Sequence, residues 1–195
     1  MKYFLTLMCT VFSLAAFAQH YNLIQTSSIS ISGTSTLHEW SVNTEKMEGS
    51  LLIETKKNTE SYLKKGTISL VTLTVPASSL HSEKGETMDN KMYRALKAEE
   101  HPEIIFELTA SIPFDLIAEN NSILMAEGLM YIAGVKKAIK TQTTAYFTNG
   151  TLAFLGKIPL KLSDFNIEPP TAMFGQIETG NDIVVNFKLQ FKQSD

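Results

Sequence analysis

The residues that could carry chemistry are scattered along this chain, and their spacing limits the reactions to consider. Histidine occupies positions 20, 38, 81 and 101, without an H-x-H or H-E-x-x-H spacing. The sequence therefore predicts no metal site. A serine nucleophile would need a G-x-S-x-G turn, which the chain lacks. The enzymatic alternative that is left is a hydrolase or isomerase that combines His38 with Asp89 or Asp164.

His38 also has a structural interpretation. It follows Ser35 and Thr36 in the chain, and hydroxyl residues next to a histidine are typical of a hydrogen-bonded turn. We therefore expect His38 either to stabilise a turn or to offer a polar contact to a ligand.

Thiol and nucleotide chemistry are excluded by the composition. The one cysteine, Cys9, lies in an N-terminal segment that we expect to be removed, so the mature chain would hold no disulfide and no thiolate. The glycines at positions 128, 134, 175 and 180 are isolated, whereas a phosphate-binding loop groups them as G-x-G-x-x-G. The sequence therefore predicts no cofactor.

Residues 1–18 have the pattern of a secretory signal peptide. Lys2 supplies a positive charge, residues 3–17 form an apolar run, and the small residues Ala16 and Ala18 fit a cleavage site. Cleavage before Gln19 would leave residues 19–195 as the mature domain. No later segment reaches the ~20 apolar residues of a membrane-spanning helix. We expect a periplasmic or secreted protein that does not span the membrane.

Composition and charge indicate one folded domain. The 195 residues are 44% hydrophobic and contain no low-complexity tract, so residues 19–195 can bury a single core. The formal net charge is −3, from 17 basic and 20 acidic residues. Because nucleic-acid binding needs clustered Lys and Arg against phosphates, we expect no nucleic-acid partner.

The elements that must position these residues are mostly strands. In the clearest strand one face is apolar and consists of Ile183, Val185, Phe187, Leu189 and Phe191. The pair Asn149-Gly150 is typical of a two-residue hairpin turn, and a parity change between Leu70 and Val71 indicates a bulge. Roughly eight or nine such segments follow one another, which favours an antiparallel sandwich or barrel.

One amphipathic helix is expected among the strands. From Met88 to Ala98, the apolar residues Met88, Met92 and Leu96 recur every four positions. Asp89 fits the N-cap. Because the apolar face of this helix needs a partner, we expect it to lie on the sheet or in the mouth of a barrel.

The segment from Ser122 to Ala133 is apolar on both faces. One face carries Ile123, Met125, Leu129 and Tyr131, and the other carries Leu124, Ala126, Met130 and Ile132. Three explanations are open: the wall of an apolar lumen, a subunit interface, or a strand packed on both sides. The methionines here and in the helix suit an adaptable apolar site, although methionine also fills gaps in ordinary cores.

Four ordered segments add a resemblance to a known family. They are GTSTLHEW from Gly33, MDNKM followed by HPEIIF between Met88 and Phe106, GLMYIAGV from Gly128, and LSDFNIEPP from Leu162. A closing strand follows Gly180. In this order the segments resemble the YceI-like proteins, which are exported lipocalin-like barrels associated with polyisoprenoids or other long amphiphilic lipids.

The resemblance implies an all-β fold: an antiparallel lipocalin-like β-barrel of about eight strands with one amphipathic helix at a barrel end. It also implies a non-enzymatic protein that holds a polyisoprenoid or a similar long-chain lipid in the barrel lumen. The predicted ligand-binding residues have different origins. Strand parity gives Phe187 and Leu189, the resemblance gives Phe165, and the apolar face of the helix gives Met92 and Leu96. Further expected wall residues are Met125, Leu129, Tyr131, Phe147 and Phe154.

Two further expectations concern protein partners. A barrel whose lumen is filled by side chains would instead bind another envelope protein through its outer surface. The resemblance also implies self-association, and we expect the outer face of the segment from Ser122 to Ala133 to form part of a homodimer contact.

Overall fold

The structure is a computed structural model that describes residues 17–55, 65–116 and 121–194. These residues form thirteen strands and one α-helix. The strands are β1 (Phe17–Leu23), β2 (Ser28–Ser35), β3 (Glu39–Thr44), β4 (Glu48–Thr55), β5 (Lys65–Pro76), β6 (His81–Ser82), β7 (Glu103–Leu108), β8 (Ile112–Asp115), β9 (Asn121–Ile132), β10 (Val135–Thr148), β11 (Thr151–Lys161), β12 (Thr171–Ala172) and β13 (Ile177–Gln193). The helix α1 (Glu86–Ala95) follows β6, and short 3-10 turns span Ala77–Ser79 and Leu162–Phe165.

Eight antiparallel strands close into a barrel in the order β1-β4-β5-β7-β9-β10-β11-β13, because β13 also pairs with β1. The predicted lipocalin-like barrel is confirmed. The long strand β13 pairs with β1 only along residues 191–193, and with β2 along residues 179–188. The strands β2, β3 and β6 therefore continue the barrel wall at the end opposite to β1.

The predicted bulge in β5 and the predicted turn at Asn149-Gly150 are both confirmed. In β5 the inward side changes from Ile68 to Val71, because Ser69 is an extra residue opposite β4. Asn149 and Gly150 join β10 to β11 with positive φ angles of 48° and 75°. These are the backbone conformations that a two-residue hairpin turn requires.

The helix is shorter than predicted and begins earlier. It spans Glu86–Ala95, whereas the spacing of the apolar residues predicted Met88 to Ala98. The difference at the C-terminal end lies at Lys97, whose φ of 52° is left-handed and stops the helical path. Among the described residues, no helix has both the length and the apolar character needed to cross a membrane.

Asp89 is not the N-cap, which is Gly85. Its carboxylate is buried, accepts a hydrogen bond from the backbone N–H of Ser82 at 2.7 Å and lies 3.2 Å from Nδ1 of His81. The hydroxyl of Tyr93 donates to the carbonyl oxygen of Leu80 at 2.8 Å. These two side chains attach α1 to β6 and the turn before it, which fixes the helix over one end of the barrel.

Four strands are absent from the sequence-based assignment. The strands β6 and β12 have two residues each, too few to show a period, and β8 contains Pro113. The strand β1 begins at Phe17, within the segment that we predicted to be removed. The preceding residues 1–16, with Cys9, lie outside the described part of the chain.

The alternation in β13 suggests that its outer face is exposed to solvent throughout. The structure shows that part of this face is covered. Gln190 is covered by the segment between β1 and β2: its backbone N–H donates to Oγ of Ser27 at 2.9 Å, and its carbonyl accepts from Ile24. Its side-chain oxygen is buried. Lys188, on the same face, is exposed and therefore represents the solvent-facing side of this strand.

One end of the barrel is closed by a buried apolar cluster, which we call the base cluster. Its members include Tyr21, Leu51, Ile53, Phe114, Leu116, Leu152 and Phe191. Tyr21 is 1% exposed, and its hydroxyl donates to Oε1 of Gln19 at 3.2 Å. Burial raises the pKa of Tyr21 to about 12, because the phenolate would lose its hydration in this cluster.

We predict that Tyr21 makes the protein sensitive to alkali. Its pKa is raised on folding, so its contribution to stability is complete below pH 10 and is lost as the pH rises to about 12. The loss at the upper limit is about 2–3 kcal/mol. In a Tyr21→Phe variant, the free energy of unfolding should fall less steeply than in the parent above about pH 10, as measured by urea titration. Parallel pH profiles for the two proteins would contradict this assignment.

Candidate ligand-binding site

The barrel contains a cavity of about 430 Å³. This volume lies within the range of about 300–1,000 Å³ that small-molecule sites occupy. Phe154 and Phe191 line its deep end, where their rings meet edge to face with centroids 5.9 Å apart. Inward residues of β2, β5, β7, β9, β11 and β13 form the side walls.

The side chains of the wall do not fill the lumen. Val185, Phe187 and Leu189 all point inward from β13, yet each keeps part of its surface accessible. In a filled barrel, inward side chains at mid-strand would be close to fully buried. Transfer of apolar groups from water into an apolar cavity lowers the free energy, so this lumen is suited to an apolar ligand.

The polar groups in the deep wall already have partners. Thr141 and Thr143 line the cavity from β10, and their hydroxyls donate to backbone carbonyls of β11 at 3.0 and 2.9 Å. A ligand at this depth therefore meets hydroxyls whose protons are engaged elsewhere. The deep cavity can hold an alkyl or isoprenoid chain without leaving these groups unsatisfied.

Six of the ten predicted ligand-binding residues lie in the cavity wall: Met92, Leu96, Phe154, Phe165, Phe187 and Leu189. They come from α1 and its C-cap residue Leu96, from β11 and β13, and from the 3-10 turn Leu162–Phe165. His38, the predicted polar contact, lies at the cavity opening. The structure thus brings together residues that are far apart in the sequence around a single lumen.

The other four predicted residues do not line the cavity. Met125, Leu129 and Tyr131 belong to the outer face of β9, where the Tyr131 hydroxyl donates to Glu107 at 3.0 Å. Phe147, near the end of β10, packs against the base cluster. These four residues are therefore not part of the site that we propose below.

The sequence contains one residue, Glu127, that indicates which face of β9 points outward. Glu127 shares the parity of Met125 and Leu129, and it pairs with Lys140 on the outer surface. A charged residue in the middle of one face marks that face as the solvent side. The inward face is therefore the one that carries Leu124, Ala126, Met130 and Ile132.

Gly128 lies in the middle of this inward face. A Cβ atom there would collide with the ring of Phe106 on β7 and with the carbonyl oxygen of Glu107. Glycine is therefore needed for close approach at this position. It allows the Phe106 ring to lie across the neighbouring strand and to form part of the cavity wall.

Trp40 is a cavity residue that the sequence analysis did not select. Its ring packs against Gly33 of the adjacent strand, and its Nε1–H donates to the carbonyl oxygen of Thr34 at 2.9 Å. The indole therefore has a fixed orientation in the wall near the opening, beside His38.

The opening of the cavity is surrounded by four connected segments, which we call the rim. They are the turn 36–38 between β2 and β3, the hairpin formed by β12 and β13, the helix α1, and β6. Backbone and side-chain atoms of Thr36 bond to Gln176 and Glu178 of the hairpin. Nζ of Lys91 on α1 donates to the Thr171 carbonyl at 3.4 Å. Asp89 joins α1 to β6, and β6 pairs with β3, which completes the circle.

The rim does not hold the catalytic pairs of the enzymatic alternative. Nδ1 of His38 lies 2.9 Å from the carbonyl oxygen of Glu39, and Asp89 is bound to β6 as described. Asp164 is exposed. The close histidine–carboxylate pair in this region is His81 with Asp89, and neither lines the cavity. Within the described residues, no three His, Cys, Asp or Glu side chains are grouped to hold a metal ion.

The sequence profile of the YceI-like domain matches residues 21–191. The chain belongs to the YceI-like family. The resemblance predicted from the four ordered segments is thereby confirmed. No protein of curated function matches this YceI-like chain.

Solved structures with the same fold include BcnA of Burkholderia cenocepacia, which is 18% identical with a TM-score of 0.62 and covers 86% of this chain and 98% of its own. A polyisoprenoid binding domain from Saccharophagus degradans, implicated in plant cell wall breakdown, is 12% identical with a TM-score of 0.67 over 89% of this chain and 98% of its own. The Campylobacter jejuni YCEI protein is 18% identical with a TM-score of 0.57, covering 79% of this chain and 84% of its own. At these identities the likeness concerns the fold.

Proposed function

We propose that this chain is an exported, non-enzymatic binding protein that holds a polyisoprenoid or a comparable long-chain lipid in the barrel lumen. The observation that carries the proposal is the apolar cavity of about 430 Å³ that reaches from the rim to Phe154 and Phe191. The Saccharophagus domain of the same fold, named as polyisoprenoid binding, supports the lipid class. Export is supported by the signal-peptide pattern of residues 1–18.

Two alternatives receive less support. An interaction protein with a filled lumen does not account for the cavity or for inward side chains that keep accessible surface. For a hydrolase or isomerase centred on His38, the hydrogen bond described for its imidazole goes to the carbonyl oxygen of Glu39, and no carboxylate of the described residues is bonded to it. Binding, driven by burial of apolar surface, is the activity that fits this geometry.

The test of this function is extraction of lipid from the purified protein. The full chain, produced with its N-terminal segment and purified from the cell envelope, should release a long-chain lipid into organic solvent and show the matching mass increment by native mass spectrometry. Added farnesol or hexadecanol at a hundredfold excess over the dissociation constant should raise the melting temperature by about 5–10 °C. Absence of extracted lipid together with no shift for either alcohol would overturn the proposal.

We predict that Met92 on α1 contributes to retention of the lipid more than to stability. Met92 is half-buried in the cavity wall, while the helix is attached to the barrel through Asp89 and Tyr93. A Met92→Gln variant should bind farnesol about tenfold more weakly, since a buried thioether side chain is worth about 1.5–3 kcal/mol. Thr87→Gln, on the exposed side of the same helix, is the control and should leave the affinity unchanged. Equal affinities for Met92→Gln and the parent would remove the helix from the site.

Self-association is a separate prediction. On the outer face of β9, Ile123 and Met125 are 67% and 47% exposed, and Leu155 of β11 is 38% exposed. If this face forms a homodimer contact, sedimentation should detect a species of twice the monomer mass, and Ile123→Lys should abolish it. A single monomeric species at high concentration would contradict the prediction.

A further inference from the structure

Among the described residues, the ionisable side chains that line the cavity are all basic in type. They are His38, Lys84 and Lys91, and no described Asp or Glu is part of the lining. The chain as a whole has the opposite excess, with 20 acidic against 17 basic residues. The described cavity lining is therefore basic, although the chain is acidic overall.

These three residues surround one opening. His38 lies in the turn 36–38, Lys84 lies between β6 and α1, and Lys91 lies on α1 and bonds to Thr171 of β12. The backbone N–H of Lys84 donates to Oγ of Ser82 at 3.1 Å, which fixes the turn that carries it. Because the rim segments are connected to one another, the three side chains are held around the same entrance.

The carboxylates of the rim are placed elsewhere. Glu39, Glu83, Glu86 and Glu178 are exposed and do not line the cavity. The carboxylate of Asp89 is engaged by Ser82 and His81. The lysines at the opening are thus not paired with a carboxylate in the lining, and a ligand group can take that place.

We propose that the amphiphile bound by this chain has an anionic head group, a carboxylate or a phosphate, which Lys84 and Lys91 hold at the rim while its apolar tail occupies the lumen. This inference rests on the proposed function and specifies the ligand class of the same site. At the partly hydrated rim the ammonium groups and the anionic head keep part of their solvation, so their pairing avoids the cost of a fully buried charge. Lys91 already reaches across the opening to the Thr171 carbonyl, and an anion would replace this neutral acceptor with a stronger one.

The experiment compares probes that share a tail and differ in the head. Farnesyl phosphate is compared with farnesol, and palmitate with hexadecanol, by calorimetric titration of the full chain after removal of bound lipid. The test variant is Lys84→Gln with Lys91→Gln. The control is Lys157→Gln with Lys188→Gln, which removes two exposed charges from the outer wall and leaves the net charge of the two variants equal.

We expect the parent to prefer the anionic member of at least one probe pair. In the Lys84→Gln, Lys91→Gln variant, affinity for that probe should fall about tenfold, as for lost hydrogen bonds to a charged group, with the alcohols unaffected. The control should bind as the parent does, and added salt should weaken only the anionic probe. The pair that shows the effect identifies the head group as phosphate or carboxylate.

Two outcomes would contradict this inference, and only the second would also contradict the proposed function. Equal binding of the alcohols and the anionic probes, in the parent and in both variants, would overturn the anionic head group and leave the lipid-binding function intact. Failure of all four probes to bind, with no lipid extracted from the purified protein, would overturn the proposed function and this inference together.

Discussion

A Leu189→Gln variant should fold, melt at a lower temperature and lose its bound lipid. Leu189 points into the lumen from the middle of β13 and packs against the base cluster. A glutamine amide at this position would lie against the apolar clusters that Leu189 packs on, which costs about 1–3 kcal/mol. For a domain of this size, the melting temperature should fall by about 2–12 °C. The same amide places an unpaired polar group against the lipid tail, so lipid measured by solvent extraction should drop to a small fraction of the parent value.

The control for this experiment is Lys188→Gln. Lys188 is the neighbour of Leu189 on the same strand, but it is exposed on the outer wall. The substitution introduces the same amide and should change neither the melting temperature nor the extracted lipid. A Leu189→Gln protein that keeps the parent's lipid content would show that the tail does not contact this part of the wall.

The second large effect is expected at Gly128, where even alanine should disrupt both packing and binding. The new Cβ would meet the Phe106 ring and the backbone oxygen of Glu107. The oxygen cannot move away without separating β7 from β9, which pair at this position. We expect a loss of about 1–3 kcal/mol in the free energy of unfolding, as for other overpacked sites. Binding of farnesol should also weaken, because the displaced ring moves into the lumen.

A compensating substitution can show whether the clash with the Phe106 ring, rather than a general disturbance of the fold, causes the effect of Gly128→Ala. Phe106→Leu makes the facing side chain smaller, so the double variant Gly128→Ala, Phe106→Leu should be more stable than the sum of the single effects predicts. A double-mutant cycle by urea unfolding measures this coupling. Additive effects would show that the Phe106 ring is not what excludes a side chain at position 128.

The barrel could be predicted because, in the most regular strands, the alternation of residue types shows which face points into the barrel. In β13 five apolar residues alternate with neighbours that are polar except for Val184, and Phe187 and Leu189 line the cavity as parity predicted. Turn chemistry at Asn149 and Gly150 gave the β10–β11 connection. Closure of the sheet could not be read in this way, because it depends on pairing between β1 and β13, at opposite ends of the chain.

The strand β9 was predicted, but the face of it that points into the lumen was assigned wrongly, and the reason is physical. Tyr131 is amphipathic, and on the outer face its ring lies under Nζ of Lys136 at 5.1 Å while its hydroxyl bonds to Glu107. Such a residue satisfies an apolar pattern and a solvated surface equally well. The charge of Glu127 on the same face was the more informative observation.

The rim could not be predicted from the sequence, because the hydrogen bonds of Asp89, Thr36 and Lys91 join segments that are distant in sequence.

The position of Trp40 gives this protein an optical reporter of its own occupancy. It is the only tryptophan in the chain, and its ring is fixed near the entrance by the Nε1–H bond to Thr34. A hydrocarbon chain that enters the lumen replaces water around the indole, so its fluorescence emission should shift to shorter wavelength as lipid loads. Loading and release can then be timed without a label, and lipid transfer between this barrel and a vesicle becomes a direct spectroscopic measurement.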